Sequence, residues 1–245
     1  MNCYMCADLR RIFRRIPRII ALVVIYAVLA VVMLYLAKNL SIYEIVDYMI
    51  KGVPYACAAI GFVEFLSVFN EDLKARTMQI AIGIGISRRK VILAKWLECI
   101  FLCLLDGILL FALIAVCTSV RGAAFAGEPA ADIALIIFFG MLKVTGSVAF
   151  TMIFVFYSQN PMVGLLVYAA MSFGIVNALA GTIVDLGPLN LFGLNRFLFM
   201  GLLNTARSRL MIGTFSVPHF AGIILYLVLF FEIAVRVFRK RELEF

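Results

Sequence analysis

Apolar residues in this chain fall in long unbroken runs, with neither the alternation of a half-buried strand nor the one-sided stripe of a helix on a soluble core. Six runs are near or above the roughly 20 helical residues needed to cross a bilayer core of about 30 Å. They are Ile19–Ala37, Gly52–Phe69, Trp96–Val120, Ile133–Tyr157, Met162–Ala180 and Pro218–Val237. The pattern predicts an all-α integral membrane protein of six transmembrane helices. It forms one transmembrane domain over residues 1–245, with no soluble domain and no internal repeat.

Three segments outside these runs carry patterns of their own. In Met5–Ile16, residues Met5, Leu9, Ile12, Phe13 and Ile16 recur at helical spacing, while Asp8, Arg10, Arg11, Arg14 and Arg15 occupy the other face. Such a basic amphipathic helix lies in the membrane interface with its arginines at anionic head groups. It serves either as a topology anchor or as a transmitter of force from a cytoplasmic partner. Pro17 separates it from the first span. The loop Glu71–Lys95 predicts a second short helix. Asn70 is placed to cap it, Glu71 and Asp72 suit its first turn, and Gly83 and Gly85 end it. That helix either docks a soluble protein or belongs to a simple basic loop. The connection Gly181–Val217 is too apolar for an ordinary loop, with Leu189, Leu191, Phe192, Leu194, Phe197, Leu198, Phe199, Met200, Leu202 and Leu203. It predicts outer helices that re-enter or cap the membrane domain, shielded by protein.

Charge sets the expected orientation. Fifteen lysines and arginines precede the first span, fill the loop between spans two and three, or follow the last span. Only six lie on the other side, where acids accompany them. Positive charge stays inside, so both termini are expected in the cytoplasm. Composition agrees: 65% of residues are hydrophobic, 15% are charged and mean hydropathy is +1.09, which requires a solvent other than water. The net charge of +8 is accounted for by topology, without nucleic acid.

Two charges stand inside the spans, Asp106 in the third and Lys143 in the fourth. Each costs about 2.5–3.5 kcal/mol at the membrane centre when alone. Counted from the inner ends of antiparallel helices, they differ by only about four positions, roughly 6 Å of rise. The depth match predicts an ion pair that either bridges two helices or lines a polar transport route. Glu64 and Glu232 lie nearer the inner ends, within reach of basic loop residues.

Catalytic chemistry finds little support. There is no GxxxxGK[ST] loop for ATP, no HExxH, and a single histidine, His219. Glu71-Asp72 with Arg76 is similar to the EExxxR motif of intramembrane CAAX-type proteases, but one histidine cannot complete such a site. The six cysteines form no extracellular disulfide framework, and Cys3-x-x-Cys6 stands alone without a second ligand pair. The long basic N-terminus and the membrane-length run after it do not read as a cleavable signal.

The segment Phe69-Asn70-Glu71-Asp72, then Arg76-Thr77-Met78, then Gly85-Ile86-Ser87-Arg88-Arg89-Lys90 leading to Lys95, resembles the type-2 ABC transporter permeases. Arg76 stands where that family commonly has glycine. The six-span layout, N-terminal helix, inner helix and outer helices resemble the family over nearly the whole chain. The resemblance implies an N-terminal elbow helix at 5–16 with Arg10, Arg11, Arg14 and Arg15 at the membrane interface. It implies a coupling helix at Asn70–Gly83, with Asn70, Glu71, Asp72, Arg76, Thr77, Ser87 and Arg88 meeting the ATPase. The implied partners are two ABC ATPase subunits, which bind ATP and Mg, and a second permease copy, identical or related. The chain itself is expected to hold no nucleotide-binding domain, cofactor, metal or catalytic residue. The implied function is export by alternating access from a bacterial plasma membrane. The cargo is an amphipathic or hydrophobic substrate, a peptide first, with drugs, lipids or ions as alternatives. A non-transporting scaffold or sensor is the competing class.

Overall fold

The computed structural model describes residues 2–74, 77–120, 127–185 and 194–240. Every regular element among them is helical: α1 (Asn2–Phe13), α2 (Ile16–Asn39), α3 (Ile42–Lys74), α4 (Thr77–Gly83), α5 (Arg88–Val120), α6 (Glu128–Ser158), α7 (Pro161–Ser172), α8 (Ile175–Asp185), α9 (Phe199–Met211) and α10 (Val217–Lys240), with a 3-10 turn at Leu194–Phe197. Helices α2, α3, α5, α6 and α10 are each long and apolar enough to cross a membrane. Helices α7 and α8 make a sixth crossing only if taken together, because the chain bends by 61° between them. The run Met162–Ala180 is therefore a broken helix. Gly174 at the break has φ of 81°, a backbone conformation that suits a residue without a side chain.

Helix α6 is the hub, packed against α3, α5, α7, α9 and α10. Lipid tails are as apolar as leucine, so membrane helices associate through close packing where small residues let backbones approach. Gly140 of α6 sits against Cys57 of α3, where an added methyl would fall 2.7 Å from the sulfur. Gly61 of α3 leaves room for Val144 and Tyr168, and Gly146 of α6 receives the ring of Phe199. Tyr168 is fully buried and donates to the Ala58 carbonyl at 3.0 Å. Thr145, Ser147 and Thr151 satisfy their hydroxyls on carbonyls four residues back in α6, so these polar groups sit in the core at little cost.

Helix α9 starts deep. Phe199 meets Gly146 and Phe230, both well inside their helices, and the chain then runs outward to Met211 and turns into α10. Phe199, Met200, Leu202 and Leu203 are buried against α6 and α10, as the apolar character of this connection predicts. Leu189, Leu191 and Phe192 of the same connection lie outside the described residues. At the opposite extreme α2 is peripheral, with Ile20, Val23, Val24, Val28 and Val31 exposed along its length.

The inner segments depart from expectation in two ways. Asn70 does not cap a short helix: α3 runs on to Lys74, so the amides after Asn70 are satisfied within an uninterrupted helix. The separate short helix begins only at Thr77 and ends at Gly83, with Gly85 at φ of 98° completing the stop. Arg76 lies outside the described residues, and the side chains of Glu71, Asp72 and Thr77 are likewise outside them. In the N-terminal segment, α1 ends at Phe13 and α2 begins at Ile16, so Pro17 sits in the first turn of α2, where its missing N–H costs nothing.

Candidate functional site

Polar side chains gather at two levels. At the end of the bundle that carries α1, α4 and the last turn of α10, buried ion pairs tie helices together. Lys95 of α5 is 0% exposed and bridges Glu98 on its own helix (3.1 Å) and Asp8 of α1. Arg11 also pairs with Asp8, and the Lys95 ammonium lies 5.5 Å from the centre of the Tyr4 ring. Asp8 is thus drawn inward, although the amphipathic pattern groups it with the outward-facing arginines. Arg15 donates to the Ser67 carbonyl at 2.9 Å. Of the four arginines expected at the membrane interface, Arg10 and Arg14 are exposed, while Arg11 and Arg15 are engaged by protein.

Arg18, by sequence one of the topology charges, is buried in α2 against Glu64 of α3. Its Nε lies 2.9 and 3.0 Å from the two carboxylate oxygens, and a second guanidinium nitrogen lies 2.8 Å from Oε1. A forked contact of this kind is among the strongest a buried acid can make. Glu232 of α10 pairs with Arg89 at the start of α5. Arg88 donates to the carbonyls of Phe238 (2.9 Å) and Arg239 (3.1 Å), placing a cation on the C-terminal end of α10, where the helix dipole favours it. Ser87 contributes through its carbonyl, which accepts from the amides of Lys90 and Val91. Helix α4 buries Met78 and Ala81 but leaves Ile80 exposed, as is Ile84 in the turn after it.

Deeper in the bundle, Asp106 and Lys143 do not pair. The Tyr26 hydroxyl of α2 donates to the Asp106 carboxylate (3.2 Å) and lies 3.1 Å from its carbonyl. Matching depth leaves rotation about the helix axis undetermined. Helices α5 and α6 meet where Gly107 faces Met141, and Lys143 lies two residues further, about 200° around α6. It shares a face with Phe139 and Gly140, and that face looks toward α3, α8 and α9.

There Lys143 lines a cavity of about 200 Å³ together with Arg207 of α9, Asn177 of α8 and Asn204 of α9. Pro54, inside α3, and Gly174, at the break between α7 and α8, complete one wall. Burial pulls the Arg207 guanidinium below its ordinary value, although an arginine keeps its charge under such a shift. No carboxylate lines the cavity among the described residues. The cavity could not be anticipated from the sequence, because Arg207 belongs to a connection and joins Lys143 there only through the packing of α9 on α6. A separate cavity of about 290 Å³ lies at the other level, between Arg15, Arg18, Phe62, Ser67 and Asn70. Among the described residues no group of three or more His, Cys, Asp or Glu side chains could hold a metal ion. Comparison with models of known families and with curated proteins finds no match to this chain.

Proposed function

We propose that the chain is the transmembrane subunit of an ATP-driven exporter, working with separate ATPase chains and a second permease copy. The observation that supports this best is α4, a seven-residue helix wedged between the ends of α3 and α5 that presents Ile80 outward, with Ile84 exposed in the turn that follows it. It falls within the segment whose residues resemble the coupling region of type-2 ABC permeases. In this reading α1 is the elbow helix, lying on α5 through Asp8 and Lys95, and this end of the bundle faces the cytoplasm. ATP-driven closure of the ATPase pair pushes α4, and the ion pairs of Arg18 with Glu64 and of Lys95 with Asp8 make the neighbouring helices move as a unit. The bundle then shifts between two packed arrangements, which is how small displacements become alternating access.

The test is copurification. The tagged chain, expressed in its native host and extracted in mild detergent, is expected to bring down an ATP-binding-cassette protein in stoichiometric amount. Ile80→Asp with Ile84→Asp, or changes at Glu71 or Arg76, should abolish that association while the chain stays in the membrane. A chain that purifies alone across several gentle detergents would leave the scaffold or sensor class as the better account.

A further inference from the structure

A cation in the middle of a membrane-length helix needs a negative partner or water. Lys143 lies at the middle of α6, 15 residues from either end. Asp106, the one acid expected to neutralise it, is turned toward Tyr26 instead. The Arg207 Nε is buried with no hydrogen-bond partner among the described residues. Two cations therefore share one cavity with two amide side chains and no acid among the described residues.

The backbone adds to this field. Gly174 and Asn177 both line the cavity, so the first turn of α8 opens onto it. The amides of such a turn lack acceptors in their own helix and carry the positive end of its dipole. The remaining wall is apolar, with Phe139, Met200 and Leu203. At about 200 Å³ the space equals roughly six or seven water volumes. That holds a head group and a few carbons.

We infer that this cavity binds the anionic head group, carboxylate or phosphate, of an amphiphile between Lys143 and Arg207, with the start of its tail against Phe139, Met200 and Leu203. The binding stands apart from any transport role. Within the exporter reading it names an acidic amphiphile as the class of cargo.

The full chain in phosphatidylcholine nanodiscs is titrated with dodecyl phosphate and, in parallel, with dodecanol. Dodecyl phosphate is expected to bind saturably at one per chain, and dodecanol far more weakly. Lys143→Met and Arg207→Gln should each weaken dodecyl phosphate by roughly tenfold to a hundredfold, the range for a lost hydrogen bond to a charged group. Lys143→Arg should retain it. Asn204→Asp, at an exposed position that tolerates change, should weaken it without disturbing the fold. Phosphatidylglycerol in the nanodisc separates two sources of the same chemistry: competition identifies a membrane lipid as the resident anion, and its absence identifies a free amphiphile. Equal affinity for dodecanol and dodecyl phosphate would overturn the inference. So would wild-type binding by both Asn204→Asp and a Lys143→Met, Arg207→Gln double variant. No ATPase enters this assay, so its failure is distinct from failure to copurify one.

Discussion

Glu64 and Tyr168 show how differently two buried polar groups are held. Glu64 is a charge neutralised by the forked contact of Arg18, with the Asp106 carboxyl beside the pair, and both side chains of the pair are nearly inaccessible. Breaking such a pair leaves an uncompensated ion, so Glu64→Leu is expected to cost about 3–5 kcal/mol of stability. The double replacement Arg18→Met with Glu64→Leu should recover only part of that loss, because removing the pair relieves its desolvation penalty but takes from the buried Asp106 its nearby cation. Thermal unfolding in detergent reads both variants, and a double variant no better than the single would show that Arg18 has another essential partner. Tyr168 is neutral and gives one hydrogen bond to the Ala58 carbonyl. Tyr168→Phe keeps the ring stacked on Phe65 and should cost only about 0.5–1.5 kcal/mol.

Between elements, the positions that matter are those where a side chain is absent. A methyl on Gly146 would occupy the Phe199 ring, so Gly146→Ala must push α9 off α6. Overpacking of this kind costs about 1–3 kcal/mol. Gly52, where an added methyl would meet nothing within 4 Å, provides the contrast. Gly52→Ala should be neutral or gain up to about 1 kcal/mol through helix propensity. A thermal-shift comparison of the two in one detergent tests the packing of α9 directly. Helix α1 is held differently, by the charge of Lys95 on Asp8. Lys95→Ala should free α1, seen as faster proteolytic cutting between α1 and α2, and should also lower the stability of the bundle by about 3–5 kcal/mol because the buried Glu98 loses this cation.

At the scale of the molecule, the proposed orientation places Cys6 in the cytoplasm. Cys6 is exposed, while Cys57, Cys99, Cys103 and Cys117 are buried and free. In a Cys3→Ser background, a membrane-impermeant maleimide should label Cys6 in inside-out vesicles and leave it untouched in intact cells. Labelling from the cell exterior would reverse the topology and remove the coupling role of α4.

Span positions were legible because they follow from one dimension. Bilayer thickness and helical rise together demand a minimum run of apolar residues, and five of the six runs lie within continuous membrane-length helices. The sixth hid its break, since hydropathy does not register the backbone turn at Gly174 inside an apolar run. The end of α4 at Gly83 could be read locally, but the continuation of α3 past Asn70 could not, because a good capping residue is also tolerated in a helix whose neighbours hold it. The similar level of Asp106 and Lys143 along their packed helices was likewise readable, since Gly107 faces Met141, whereas rotation about each helix axis was not. That rotation is chosen by which small residues meet, Gly107 against Met141 and Gly140 against Cys57. Sequence by itself determined how often and where the chain is apolar enough to cross a membrane, since that depends on local composition alone. Only the tertiary structure decided that Arg18 is buried on Glu64, that Lys95 holds α1, and that Lys143 shares a cavity with Arg207, since each joins residues far apart in the chain through helix packing.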